Sequence, residues 1–283
     1  IDGLDDHSGL SDAESALILS RGEYLLTKMA TRWLSKSYED ALWVDAKTVF
    51  RASSSNGLTH YLHATCEVIP DPQIQAMWAG QTRLLVVPGF YASNGNNEVV
   101  LLGRGGSDTS AAYLSVLLSA VLCEIWTDVP GVFTANPNRL PEARIIGRLD
   151  YGEAQELAHL GAKVIHPPAL LPLKMHAIPM RVASTHHRHI AGTLVFKDES
   201  DSLPSLKAVM VRRDCLVVNI SNPLLPYQSH HSAEIINAIV STGLSIELMT
   251  ASKTQLSFCL NRVDSIYASE FDACLQELER WGE

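Results

Sequence analysis

Residues 101–112 read LLGRGGSDTSAA: three glycines surround Arg104, and Ser107, Asp108, Thr109 and Ser110 follow. The apolar run EVVLL (98–102) precedes this stretch, and the small and apolar run TSAAYLSVLL (109–118) follows it. The order strand, glycine turn, helix accounts for both flanks. Ser107 or Asp108 is the expected N-cap. The first N–H groups of such a helix have no intrahelical partner and favour an anion, which glycines allow close to the backbone. Arg104 adds a bidentate grip suited to a carboxylate or phosphate. The spacing is neither GxxxxGK[ST] nor GxGxxG, and a purely structural tight turn accounts for the same residues.

Outward from this turn, apolar periodicity predicts helices over 12–33, 71–79, 107–122 and 151–160. Strands are expected over 41–44, 84–87, 98–102, 123–129, 163–165, 180–182 and 192–196. Strands alternating with helices, several of them apolar throughout, favour an α/β fold with a mostly parallel sheet covered on both faces. The polar, proline-bearing KDESDSLPS (197–205) reads as a linker. Beyond it, strand 216–220, helix 232–241 closed by Gly243, strands 245–249 and 255–260 and helix 270–281 give βαββα. That is one strand short of a ferredoxin-like βαββαβ unit.

At 283 residues with 46% apolar and 19% charged composition, the chain has material for one large or two ordinary soluble domains. A net charge of −9 argues against nucleic acid as a partner, since phosphate-backbone binding needs a basic face. Residues 111–122 are too short to span a bilayer, and no signal peptide is visible at Ile1, which is not a start methionine. Five scattered cysteines without a CxxC pair fit buried thiols in a reducing, cytoplasmic setting.

Further polar groups sit at predicted strand ends: Phe90 and Ser93 after LLVVP, Thr127, Asp128 and Phe133 in CEIWTDVPGVF, and Lys163 in GAKVIHP. In open α/β sheets that edge binds ligands, and one cation, one acid and a glycine nest suit a nucleotide phosphate with magnesium. In order and spacing, GRGGSDTSAA, EIWTDVPGVFTANP and LDYGEAQELAHLGAKVIHP resemble aspartate kinases of the amino-acid kinase superfamily. SRGEYLLTKMATRWL, VDAKTVFRA and PGFYAS resemble the middle region of the same family. The likeness runs from about Ser20 to Val195, and its wording is most like aspartate kinases fused to diaminopimelate decarboxylase.

The resemblance implies a three-layer amino-acid-kinase sandwich over residues 1–203, then an incomplete ferredoxin-like ACT regulatory domain over 204–283. It implies phosphoryl transfer from ATP, with Mg2+, to the side-chain carboxylate of L-aspartate. Asp108 and Lys163 would be catalytic, while Glu23, Phe90, Arg104 and Ser107 would bind aspartate. Thr127, Asp128, Phe133, Arg139 and Lys163 would hold the nucleotide. Glu247 and Ser252 would contact a lysine effector, in a homodimer formed through the ACT domain. Neither a resident metal-ligand set nor a nucleic-acid or membrane partner is implied. Two departures stand out. Phe133-Thr134-Ala135-Asn136-Pro137-Asn138 replaces the family's Tyr-Thr-x-Asp-Pro-Arg, with Arg139 as the substitute cation, and the family's opening Lys-x-Gly-Gly-Thr-Ser is missing. That absence keeps alternatives open: a kinase-like regulatory subunit that binds an amino acid without turnover, or another carboxylate kinase. His186, His187 and His189 read as a solvated loop, and His230 and His231 as exposed positions before a helix.

Overall fold

The computed structural model describes residues 9–39, 41–53, 60–79, 84–162, 164–197, 206–211, 215–221, 229–241, 246–252, 254–261, 276, 278 and 279. The chain divides into two compact units, Ile1–Met210 and Val211–Glu283. The division falls later than residue 203 for a visible reason. Val209 N–H donates to Thr134 O at 2.8 Å, Lys207 Nζ meets Glu153 Oε2 at 2.7 Å, and Ala208 and Met210 pack on the first unit's core. Most of the expected linker (198–205) lies outside the described residues.

The first unit runs α1 (Asp12–Leu34), β1 (Ala41–Trp43), α2 (Ala46–Val49), α3 (Pro72–Trp78), β2 (Leu84–Val86), β3 (Tyr91–Ser93), β4 (Val99–Leu101) and α4 (Gly106–Leu117). It continues with β5 (Cys123–Thr127), β6 (Arg148–Asp150), α5 (Tyr151–His159), α6 (Pro167–Met175), β7 (Met180–Ser184) and β8 (Thr193–Phe196). Local chemistry sets the boundaries. Ser11 and Glu14 form a reciprocal capping box at α1, as Asp150 and Glu153 do at α5.

The sheets of the first unit are mixed, with three parallel pairings and two antiparallel ones among the described strands. β1 pairs parallel with β2, while β3 and β4 pair antiparallel. The largest sheet has the order β5–β7–β8–β6, in which an antiparallel β7–β8 pair joins two parallel pairs. Buried apolar runs are compatible with either pairing sense, so the composition could not distinguish them.

Two apolar clusters share one wall. Ala112 and Val116 of α4 face a core containing Leu149, Tyr151, Leu170, Leu173 and Val182. Tyr113 and Leu117 face another, with Phe50, Tyr91, Val100 and Leu101. A helix buried on both faces reads as apolar and small all round, as this one does. It ends five residues earlier than expected, because Ser119 takes a left-handed backbone (φ 49°) before β5 begins. Residues 164 and 165 form a turn rather than a strand. Burial pushes the Cys66 thiol up to about 12, away from the reactive thiolate, and raises Cys123 in the same direction.

The second unit contains β9 (Cys215–Ser221), α7 (Ser229–Ser241), β10 (Ile246–Ala251) and β11 (Gln255–Asn261). Its antiparallel sheet has the order β10–β11–β9, and Ile220, Ile235, Ile239, Leu256, Phe258 and Leu260 form the core. Gly243 and most of the expected last helix lie outside the described residues, of which 276 and 278 are helical. His230 and His231 fall within the first turn of α7 rather than before it.

Candidate active site

The site is built around the start of α4. Its N-cap is Gly105, in a left-handed conformation (φ 66°, ψ 19°) with no side-chain cap, which corrects the assignment to Ser107 or Asp108. Only glycine adopts this backbone freely, and the turn closes through Gly106 N–H to Gly103 O at 3.1 Å. Thr109 returns both its N–H and its hydroxyl to Gly105 O, at 3.0 and 3.1 Å. Ser107 and Asp108 therefore occupy the first turn, where helix N–H groups lack intrahelical acceptors. Arg104 and Ser107 are exposed, and Asp108 is half-buried. Burial raises the Asp108 carboxyl above the ordinary aspartate range, and the charge of His166 opposes that rise.

Phe90 is fixed against this turn. Its N–H donates to Ser110 Oγ at 2.9 Å, and its carbonyl accepts from Leu102 N at 2.9 Å, with φ at 74°. A Cβ on Gly106 would stand 3.0 Å from the Phe90 ring, and one on Gly89 would stand 3.0 Å from Ser107 Cα. Phe90, Arg104, Ser107 and Asp108 are thus brought together. Glu23 is half-buried on α1, the helix packed against β4.

A second polar group lies at the ends of β5 and β7. Thr127 Oγ1 donates to Asp128 Oδ1 at 3.0 Å, Thr185 N–H donates to Thr127 O at 2.9 Å, and Ser184 Oγ donates to Asp128 O at 3.3 Å. Asp128 is exposed, Phe133 pairs with Ile145 by a single bridge, and Arg139 is exposed in a turn. Lys163 lies outside the described residues. In the second unit, Glu247 is exposed on β10, while Ser252 closes the β10–β11 turn through its N–H to Gln255 O at 2.8 Å.

Sequence reasoning passed over His166. It sits at the N-cap of α6, and a Cβ on Gly105 would collide with its ring. Its position inside the quoted KVIHP segment was the available signal.

A profile of the amino acid kinase family matches residues 1–184. The chain belongs to that family. Among amino acid kinases, it is 33% identical over 253 residues to the bifunctional aspartokinase/homoserine dehydrogenase of Buchnera aphidicola subsp. Acyrthosiphon pisum (strain APS), covering 88% of this chain and 30% of that protein. It is 30% identical over 249 residues to the lysine-sensitive aspartokinase 3 of Escherichia coli (strain K12), covering 88% of this chain and 55% of that one. Among solved structures, E. coli aspartokinase III in complex with lysine and aspartate matches with a TM-score of 0.74 and 27% identity, over 98% of this chain and 61% of that chain. The chain spans between about a third and just over half the length of these curated relatives. An aspartokinase-like amino acid kinase fold with mixed sheets is therefore present here. No helix among the described residues is long and apolar enough to cross a membrane.

Proposed function

We propose that the chain carries the aspartate-kinase activity of its protein, transferring the γ-phosphoryl group of ATP to the side-chain carboxylate of L-aspartate to give 4-aspartyl phosphate. The observation that carries this reading is the β4–GRGGSD–α4 junction, which gathers an exposed guanidinium, a half-buried carboxylate and a free helix start at one point. The curated relatives called aspartokinases, at about 30% identity, support it.

Arg104 holds the α-carboxylate of aspartate bidentately, with Glu23 on its ammonium group and Phe90 and Ser107 lining the pocket. Such a reaction needs little covalent chemistry from the protein; positioning and charge neutralisation carry it. The first-turn N–H groups of α4 suit the charge that develops there. Asp108 orients the cations beside the transferring group. Thr127, Asp128, Phe133, Arg139 and Lys163 hold ATP, Phe133 offering an aromatic face and Lys163 a phosphate contact. The exposed Asp128 carboxylate, fixed by Thr127, fits a hard cation's preference for oxygen. Magnesium there would offset phosphate charge.

The second unit acts as an ACT-like regulatory domain that forms a homodimer and binds lysine, with Glu247 taking the ammonium group. The E. coli relative crystallised with lysine supports that choice of effector. The protein works in the cytoplasm.

Expression of the full reading frame and trapping of the acyl phosphate with hydroxylamine tests the catalytic reading. Aspartate-dependent hydroxamate formation is expected. Preference for glutamate, acetylglutamate, carbamate or UMP would overturn it.

A further inference from the structure

The far end of α4 borders a cavity of about 570 Å³, inside the range of about 300–1,000 Å³ usual for small-molecule sites. Leu117, the last residue of α4, lines it, whereas the glycine loop lies at the other end, roughly 16 Å along the helix. None of the described residues assigned above to aspartate, ATP or the effector lines this cavity.

Bonds between separate segments hold its shape. Asp71 N–H donates to Leu117 O at 3.0 Å, and Gln75 Nε2 donates to the same oxygen at 2.9 Å. Cys66 N–H donates to the Tyr113 hydroxyl at 3.4 Å, and a single antiparallel bridge joins Cys66 to Ala52. The walls are thus in place before any ligand arrives, which lowers the ordering cost of binding.

The lining also selects a chemistry. Val49, Phe50, Val68, Ile69 and Leu117 supply an apolar wall, and Arg51, Glu67 and Asp71 bring charge. Asp71 already serves α3, its Oδ1 accepting from Gln73 N–H at 2.8 Å and from Ile74 N–H at 3.1 Å. Arg51 Nη1 donates to Ser93 Oγ at 3.4 Å, the one side-chain hydrogen bond it makes among the described residues. Glu67 has neither a hydrogen-bond nor an ion-pair partner for its carboxylate among them, and it does not pair with Arg51. A guanidinium with free donors and a free carboxylate therefore share one cavity without neutralising each other. A phosphate or other simple anion would meet two carboxylates here, and a simple cation would meet the guanidinium. A small molecule that carries both charges beside an aliphatic group suits every wall.

We infer that this cavity is a binding site for a free α-amino acid with an aliphatic side chain. Arg51 takes its carboxylate through charge-assisted hydrogen bonds, Glu67 takes its ammonium group, and the apolar wall covers its side chain.

Titration calorimetry of the full-length protein with L-leucine, L-isoleucine and L-valine, without ATP or aspartate, tests this. At least one should bind. Arg51→Ala and Glu67→Gln should each weaken that binding at least about tenfold, the usual cost of losing a hydrogen bond to a charged group. The matching acid without the ammonium group and the matching amine without the carboxylate (for leucine, 4-methylpentanoate and isopentylamine) should be weaker by a similar factor. No binding by any of the three, binding indifferent to either cavity variant, or equal binding by either analogue would overturn the inference. Should Arg51→Ala fail to fold, Arg51→Gln and Glu67→Gln carry the same expectation. The titration needs no turnover, so its result stands apart from the hydroxamate assay that judges the kinase reading.

Discussion

The backbone N–H of Phe90 donates to the hydroxyl of Ser110 at 2.9 Å, joining the turn before β3 to the second turn of α4. The Ser110 hydroxyl in turn donates to Gly106 O at 2.7 Å, so one buried hydroxyl holds both sides of the glycine loop. Phe90 is kept in a left-handed backbone by this contact, a conformation that bulky residues rarely adopt.

Ser110→Ala should therefore destabilise the first unit by about 1–3 kcal/mol, the cost of stranding a partly buried N–H. Urea denaturation measures this. A change below about 0.5 kcal/mol would mean that Phe90 finds another acceptor.

Arg104→Ala should mainly damage aspartate use, with a loss of roughly 2–5 kcal/mol in kcat/KM as a desolvated charge contact disappears. Lys163→Ala should instead raise KM for ATP and lower kcat. Steady-state kinetics showing the reverse would exchange the two half-sites.

Asp108 opposes stability in its charged form. Its folded carboxyl holds the proton to higher pH than the unfolded chain does, so stability falls as pH rises from the ordinary aspartate value of about 3.9 through the raised folded value. Asp108→Asn removes that dependence. The variant should melt above the unaltered protein at pH 7 and match it below pH ~4, while losing activity. A lower Tm for the variant at pH 7 would show that Asp108 is held by more than it loses on burial.

Thermal-shift measurements on the full-length protein should show stabilisation by lysine, and Glu247→Ala should abolish it. Stabilisation by threonine alone, or by none of lysine, threonine and diaminopimelate, would remove the lysine assignment.

The residues at the start of α4 were legible because glycine, cap and apolar run follow one another in sequence. The N-cap was misread for a physical reason. Ser107 and Asp108 are good caps by side chain, but Gly105 supplies the turn by backbone alone, and that choice depends on Phe90 and His166 arriving from elsewhere. α6 was invisible because PPALLPLKM carries three prolines. Two stand where no N–H is needed, and Pro172 is tolerated inside the helix. β3 (YAS) and β6 (RLD) carry no run of apolar residues to mark them, and the four-residue α2 is too short to show periodicity. Sheet sense was illegible because the antiparallel β7–β8 pair depends on a turn at Gly192, where a Cβ would overlap the Val182 carbonyl.

The strand order β5–β7–β8–β6 also dictates a timetable during synthesis. β5 and β6 leave the ribosome with their partners still unmade: Ile125 waits for Val182, and Leu149 waits for Val195. The β7–β8 hairpin delivers both partners at once. Until Phe196 has emerged, two nascent ribbons carry open edges that invite intermolecular pairing. Translation stalled just before that hairpin would release a chaperone-dependent chain, whereas a stall just after it would release one able to close its own sheet.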